Sequence, residues 1–172
     1  MRLEGKKIAI FVAEMFEDLE FWYPYLRMQE EGAEVTAIGP EGARYMGKHG
    51  LPAKADKGID AVKAIEFDAL IIPGGYSPDH MRRSPKMITF VKEMDKQRKL
   101  VAAICHGPWM LASAEIIKGK KVTSFHSIKD DLIHAGAEWV DLKVVKSEHV
   151  ITSRNPHDLP AFCTAIIEAM LQ

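Results

Sequence analysis

Apolar and polar positions follow two patterns along the chain. Short runs of apolar and β-branched residues predict strands over residues 7–13, 34–39, 68–72, 100–104 and 150–153. Between them, apolar residues at helical spacing predict helices over residues 18–31, 86–98, 108–117 and 159–171. In the first helix the apolar positions are Leu19, Trp22, Tyr23 and Leu26, and Gly32 is typical of its C-terminal end.

This alternation predicts an α/β fold in which a mainly parallel sheet lies between layers of helices. In such sheets ligands bind at the carboxyl ends of the strands. Three segments follow predicted strands at that edge: the acidic loop 14–18, the turn Pro73-Gly74-Gly75, and Cys105. We therefore expect these segments to meet in one crevice.

The most informative segment is the apolar run 100–104, which ends abruptly in Cys105-His106-Gly107-Pro108. Proline suits the first turn of a helix, so the segment predicts a strand, a sharp turn and a helix. Cys105 would lie at the helix N-terminus, where backbone N–H groups and the helix dipole lower the pKa of a thiol. A buried packing role is the ordinary alternative for a free cysteine, and we prefer it for Cys163 on the apolar stripe of the last helix.

Composition narrows the classes of function. The chain has 172 residues with 23 basic and 24 acidic side chains, a net charge of −1, which favours neither nucleic acid nor an anionic membrane as a partner. Two cysteines far apart predict a reducing, cytoplasmic location, and no run approaches the roughly 20 apolar residues of a membrane span. We expect a single domain over residues 1–172. Zinc-binding, dinucleotide-binding and P-loop motifs are missing, so we expect no metal and no cofactor.

Four motifs in order along the chain resemble the PfpI/ThiJ superfamily, particularly its branch of PfpI-like intracellular proteases and general stress proteins. They are FEDLE at 16–20, FDALIIPGG at 67–75, AICHGP at 103–108 and IKDD at 128–131. The resemblance implies a flavodoxin-like three-layer sandwich with a nucleophile-elbow cysteine. It also implies self-association as a dimer or a higher oligomer.

The resemblance further implies roles for individual residues. Cys105 is the nucleophile, Glu17 the carboxyl group that contacts its sulfur, and His106 the adjacent base. Asp79 matches an acidic residue, often Glu in the proteases, that a neighbouring subunit contributes to orient the histidine. Asp79 has a shorter side chain than Glu. The segment Ser77-Pro78-Asp79 also resembles the general stress proteins at this point. His126 matches a segment near the superfamily's active site.

Each of these residues also has a structural interpretation. Glu17 is a candidate helix N-cap, Asp79 a turn residue, and His126 a wall residue at a strand end. Consecutive residues on a regular helix do not face each other, so His106 serves Cys105 only if the turn redirects it.

The chemistry can be argued from the residue types. A protonated Glu17 would donate a hydrogen bond to the sulfur, and N–H groups near Gly74, Gly75 and His106 would bind an oxyanion. Attack of the sulfur on an aldehyde gives a hemithioacetal, and attack on an acyl carbon gives an acyl-enzyme. The first interpretation is a glyoxalase or deglycase acting on small reactive aldehydes or glycated protein. The alternatives are an oligomeric cysteine peptidase and a non-enzymatic redox sensor or chaperone.

Overall fold

The computed structural model describes residues 1–172 and contains one large sheet and two small ones. The strands are β1 (Lys7–Phe11), β2 (Glu34–Gly39), β3 (Arg44–Met46), β4 (Pro52–Lys54), β5 (Lys57–Gly58), β6 (Ala69–Ile72), β7 (Leu100–Ile104), β8 (Lys121–Val122), β9 (Glu138–Trp139), β10 (Val144–Ser147) and β11 (Val150–Ser153). The helices are α1 (Asp18–Glu30), α2 (Ser77–Met81), α3 (Pro85–Lys96), α4 (Pro108–Ser113), α5 (Lys129–His134) and α6 (Leu159–Met170).

The large sheet has seven strands in the order β10-β11-β7-β6-β1-β2-β5. Every neighbouring pair is parallel except β10 and β11, which form an antiparallel hairpin at one edge. The predicted flavodoxin-like α/β fold, with a mainly parallel sheet between helices, is confirmed. The strands β1, β6 and β7 lie at its centre, so their carboxyl ends meet at the middle of one sheet edge.

Two hydrophobic cores lie on opposite faces of this sheet. Along β6, Leu70 and Ile72 pack into the core that holds α3 and α4, whereas Ala69 and Ile71 pack into the core that holds α1 and α6. Side chains alternate between the faces of a strand, and both faces are covered here. This explains why the central strands are continuous apolar runs rather than alternating ones.

The apolar residues that define the helical pattern of α1 do not all face the core. Leu19 and Leu26 are 55% and 57% exposed, and the helix buries Phe21, Pro24 and Met28 instead. The Phe21 ring packs 5.3 Å from the ring of Phe16, which fixes the rotation of the helix. Acidic side chains of its first turn therefore face the protein interior.

One helix end and one hairpin also differ from the sequence prediction. The helix α4 ends at Ser113 rather than at residue 117, and Glu115 beyond it adopts a φ of 59°, which ends the helical path. The sequence did not predict the β3–β4 hairpin, which lies beside the carboxyl edge of the sheet. No helix is both long and apolar enough to cross a membrane.

Candidate active site

Cys105 occupies a sharp turn between β7 and α4. Its φ is 62°, a left-handed conformation that costs a non-glycine residue free energy and persists only where the surroundings enforce it. Its own N–H donates to Ser153 O at 3.1 Å and its carbonyl accepts from Phe125 N–H at 2.9 Å. A side chain at Gly107 would place Cβ 2.5 Å from Ile72 O, so only glycine allows this close approach. The neighbouring strands thus hold the cysteine in a fixed position.

His106 is redirected by this turn toward the sulfur. Its Nδ1 lies 3.2 Å from Cys105 Sγ, and its Nε2 lies 3.2 Å from Ser127 Oγ. The imidazole stacks on the ring of Phe125 at 5.2 Å. Burial lowers the pKa of His106, and the charge of Lys48 lowers it further, so the ring is neutral near pH 7. In the tautomer protonated at Nε2, Nδ1 can accept the thiol proton.

The carboxyl group beside the sulfur belongs to Glu20, in the first turn of α1. Glu20 is fully buried, its Oε2 accepts from Gly74 N–H at 2.7 Å, and its Oε1 has no hydrogen-bond partner. A side chain at Gly74 would meet both Glu20 Oε2, at 2.6 Å, and Cys105 Cβ, at 2.7 Å, so the carboxyl group lies beside the cysteine. Burial, followed by the negative charge of Glu17, raises the pKa of Glu20 to about 8. Glu20 is therefore mostly protonated at pH 7 and can donate a hydrogen bond to the sulfur.

The prediction that Glu17 contacts the sulfur is wrong. Glu17 precedes α1 and its Oε2 accepts from Glu20 N–H at 2.9 Å, so the N-cap interpretation is confirmed. Its Oε1 faces His49, 3.5 Å from Nε2. Sequence reasoning missed Glu20, although the FEDLE motif contains both glutamates. The sequence did contain a signal for Glu20. It lies three residues after the N-cap Glu17, in the first turn of α1, and next to the buried Phe21.

The predicted lowering of the Cys105 pKa is not found. Burial raises the pKa of the Cys105 thiol and a charge on Glu20 raises it further, while N–H groups of Gly75 and His106 lower it. The helix α4 that follows has only six residues, and the sulfur is nearly enclosed, so desolvation outweighs the favourable amides. A charge on Glu20 disfavours ionisation of Cys105, so the thiolate forms more readily while Glu20 is protonated.

A cavity of about 330 Å³ opens onto the sulfur. Its wall contains Cys105, His106, Gly75 and Lys48. Gly75 has a φ of 73°, and its backbone N–H lowers the pKa of the thiol; its role in binding an oxyanion stays a prediction. Gly74 N–H instead binds Glu20, and a side chain at Gly74 would come within 2.7 Å of Cys105 Cβ. Gly74 therefore positions the carboxyl group and does not face the ligand.

Two predicted site residues lie apart from the sulfur within this chain. Asp79, in α2, is half-exposed and forms an ion pair with Arg83, while Nε2 of His106 faces Ser127. His126 is exposed and lines a separate cavity beside Arg154. Cys163 is buried in the core with α6, as predicted. No group of three or more His, Cys, Asp and Glu side chains could hold a metal ion.

Comparison with known proteins identifies relatives of this chain. The family model described as the DJ-1/PfpI family matches residues 6–169. YraA of Bacillus subtilis, whose name proposes a cysteine protease, is 47% identical over 92% of this chain and 94% of its own. Deglycase PfpI of Pyrococcus furiosus is 43% identical over 95% of this chain and 99% of its own.

A solved structure extends the comparison to the fold. A protein of Anabaena variabilis with DJ-1/ThiJ/PfpI-like and ferritin-like domains superposes with a TM-score of 0.93 at 43% identity, over 95% of this chain. The chain spans about half of that two-domain protein, 48% of its length.

Proposed function

Because this chain belongs to the DJ-1/PfpI family, we propose that it is a cysteine-dependent enzyme acting on reactive carbonyls, as a glyoxalase or a protein deglycase. One observation carries the proposal: a thiol and a neutral imidazole in contact with each other line one small cavity, and a protonated carboxyl group is buried beside the thiol. The names of the relatives support enzymatic activity in the family, and the deglycase among them supports carbonyl-modified substrates.

The first step adds the sulfur to the carbonyl carbon. His106 Nδ1 accepts the thiol proton as the C–S bond forms, and the carbonyl electron pair moves onto oxygen. The N–H groups of Gly75 and His106, which point at this region, stabilise the oxyanion. Return of the proton to that oxygen gives a hemithioacetal.

The following steps depend on a second carbonyl beside the first. With methylglyoxal, His106 moves the proton from the carbon bearing sulfur to its neighbour, which leaves a thioester. Water then hydrolyses the thioester, and a hydroxy acid leaves as the thiol is restored. The sum is methylglyoxal plus water giving lactate, and the cycle requires no oxidant or reductant.

A peptidase remains the second candidate, supported by the name of YraA. It would require an acidic partner for His106, and Asp79 within this chain pairs with Arg83 instead. The protease hypothesis therefore needs a neighbouring subunit to supply that carboxylate. A redox sensor or chaperone would need only the accessible thiol.

We also propose a single domain over residues 1–172, a cytoplasmic location, and self-association as a dimer or a higher oligomer. Two unpaired buried cysteines support a reducing compartment. The partners expected are small aldehydes and glycated or unfolded protein.

The enzyme hypothesis is tested with Cys105→Ala and the matched variant Cys163→Ala. We expect wild type and Cys163→Ala to convert methylglyoxal to lactate, and Cys105→Ala to lose at least ~100-fold in rate, because only Cys105 faces the cavity. Methylglyoxal consumption by Cys105→Ala at the wild-type rate would overturn the proposal. Casein release by wild type without any aldehyde conversion would favour the peptidase.

A second measurement separates deglycase from glyoxalase. Preformed adducts of methylglyoxal on acetyl-lysine release the aldehyde spontaneously. A deglycase accelerates adduct loss beyond that spontaneous rate, whereas a glyoxalase only removes the aldehyde once it is free. Adduct loss that never exceeds the spontaneous rate at rising enzyme concentration assigns the activity to a glyoxalase.

A further inference from the structure

The loop at the tip of the β3–β4 hairpin, residues 47–51, is fastened to the start of α1. The buried carboxylate of Asp18 accepts N–H groups from His49 at 2.9 Å and from Leu51 at 2.8 Å. Lys48 N–H donates to Phe16 O at 2.8 Å. A side chain at Gly47 would lie 2.5 Å from the Asp18 carboxyl carbon, so the loop packs directly on that group. We call residues 47–51 the hairpin tip.

The hairpin tip is also tied to the turn that faces the sulfur. The backbone of Phe16 forms a bridge with Gly47 on one side and with Gly75 on the other. Gly75 lies in the wall of the Cys105 cavity. A short, continuous stretch of backbone therefore sets the distance between the hairpin tip and the thiol.

As a result, Lys48 lies in the wall of the Cys105 cavity. Its ammonium is unpaired, since the salt bridge of this loop joins His49 to Glu17. Of the side chains in that wall, Lys48 alone has a permanent positive charge. Its charge acts on both neighbours of the sulfur and lowers the pKa of Glu20 and of His106, each after the larger effect of burial.

We propose that Lys48 makes the Cys105 cavity an anion-binding site, which favours small electrophiles with a carboxylate beside the reacting carbon over neutral ones of equal size. The proposal rests on the proposed function, in which a carbonyl carbon bonds to Cys105. In a cavity of about 330 Å³ any such carboxylate lies within a few ångströms of the cavity wall. Lys48 is exposed, so its attraction for a carboxylate acts over short distances and is weakened by salt.

The proposed ligands are aldehyde acids, which can react with the thiol, and the hydroxy acid product. An aldehyde acid such as glyoxylate would form a hemithioacetal with its carboxylate toward Lys48. In the hydroxy acid product the carbon that was bonded to sulfur has become the carboxylate carbon, so Lys48 would also slow the release of this product. Neutral methylglyoxal would gain little from Lys48 on binding.

The first test uses alkylation of the thiol and needs no turnover. Sulfur attacks the methylene carbon of iodoacetate or iodoacetamide, the C–S bond forms and iodide leaves, so the two reagents differ mainly in charge. We expect the ratio of iodoacetate to iodoacetamide rates at Cys105 to fall about tenfold in Lys48→Met and to be retained in Lys48→Arg. The ratio should stay at the wild-type value in Lys146→Met, which removes an exposed lysine of β10 whose Nζ donates to Gln172 Oε1.

The iodoacetamide rate reports any general change in the thiol, so the ratio isolates charge. A ratio that is the same in wild type and Lys48→Met would overturn the proposal, even if methylglyoxal conversion is confirmed. A lowered ratio together with no aldehyde conversion would keep the anion site and reject the proposed enzyme.

The second test uses glyoxylate as an inhibitor of methylglyoxal conversion. We expect the ratio of its inhibition constant to KM for methylglyoxal to rise about tenfold in Lys48→Met relative to wild type. Rising salt should weaken inhibition of wild type more than inhibition of the variant. Equal losses toward both compounds would show that Lys48 only supports the structure and would overturn the selectivity.

Discussion

At the scale of single residues, Glu20 decides where the negative charge of the site lies. Its carboxyl group lies beside Cys105, and burial raises its pKa to about 8. A thiolate next to a carboxylate is disfavoured, whereas a thiolate next to a carboxylic acid receives a hydrogen bond. Proton occupancy of one buried glutamate therefore controls the reactivity of the cysteine.

Glu20→Gln should make the thiol ionise more easily. The amide carries no charge and keeps an N–H donor for the sulfur, so we expect the pKa of Cys105 to fall by at least ~1 unit relative to wild type. Ultraviolet titration of the thiolate measures it. Glu17→Gln is the matched control, because its amide oxygen can still accept Glu20 N–H. Identical titrations for wild type and Glu20→Gln would contradict the assignment of Glu20 as the neighbour of the sulfur.

The same glutamate predicts how stability depends on pH. The pKa of Glu20 is about 8 in the folded chain and about 4.3 unfolded, so the folded state binds the extra proton between these values. Its contribution is complete below the unfolded pKa and is lost as pH rises toward 8. We expect the free energy of unfolding of wild type, relative to Glu20→Gln, to fall by up to about 1.4 kcal/mol per pH unit from pH 5 to 8. Urea denaturation at four pH values checks the slope, and parallel curves for the two proteins would refute it.

The limits of sequence reasoning are clearest at these residues. The position of Cys105 after a buried strand and before Pro108 could be predicted from the sequence, because the residue types themselves favour the turn. The sequence could not show whether Glu17 or Glu20 lies beside the sulfur. That depends on the rotation of α1, which the packing of Phe16 on Phe21 fixes. The direction of the Cys105 pKa was missed for a similar reason, because desolvation is a property of the folded surroundings.

At the scale of elements, the longer strands of the large sheet were predictable and the small strands were not. The ranges of β2, β7 and β11 agree with the prediction because short runs rich in apolar and β-branched residues favour buried strands. The hairpin β3–β4 has polar strands of three residues each and is held by contacts with α1. Local sequence carries little signal for an element that tertiary contacts stabilise.

Asp18→Ala should release the hairpin tip while the sheet stays intact. The change leaves the N–H groups of His49 and Leu51 without their acceptor, and we expect a loss of roughly 1–3 kcal/mol in stability. Hydrogen exchange should accelerate across residues 47–51 and stay unchanged in α3. Asp18→Asn, which keeps one acceptor oxygen, should give an intermediate effect. Unchanged protection of residues 47–51 in Asp18→Ala would show that another contact holds the tip.

At the scale of the whole molecule, the pattern of alternating strands and helices was sufficient for the architecture. Both faces of the sheet are covered, and the three segments expected to meet at its carboxyl edge do so around Gly74, which separates Glu20 from Cys105. Self-association follows from the resemblance alone and remains a prediction. It bears directly on Asp79, whose predicted role requires a second subunit near His106.

The exposed side of α1 is where we expect a second copy to bind. Leu19, Tyr23 and Leu26 form an apolar stripe on successive turns and are 55%, 39% and 57% exposed, which is unusual for three large side chains on one helix face. A two-fold interface would bury the same stripe from both copies. We expect wild type to sediment as a dimer or a larger assembly, and Leu19→Glu with Leu26→Glu to sediment with a smaller mass and an unchanged circular dichroism spectrum. Ile65→Glu, at an apolar side chain that is 68% exposed elsewhere, serves as the control and should leave the mass unchanged. A monomeric wild type would remove both the interface and the predicted role of Asp79, since no neighbouring subunit would then be present to orient His106.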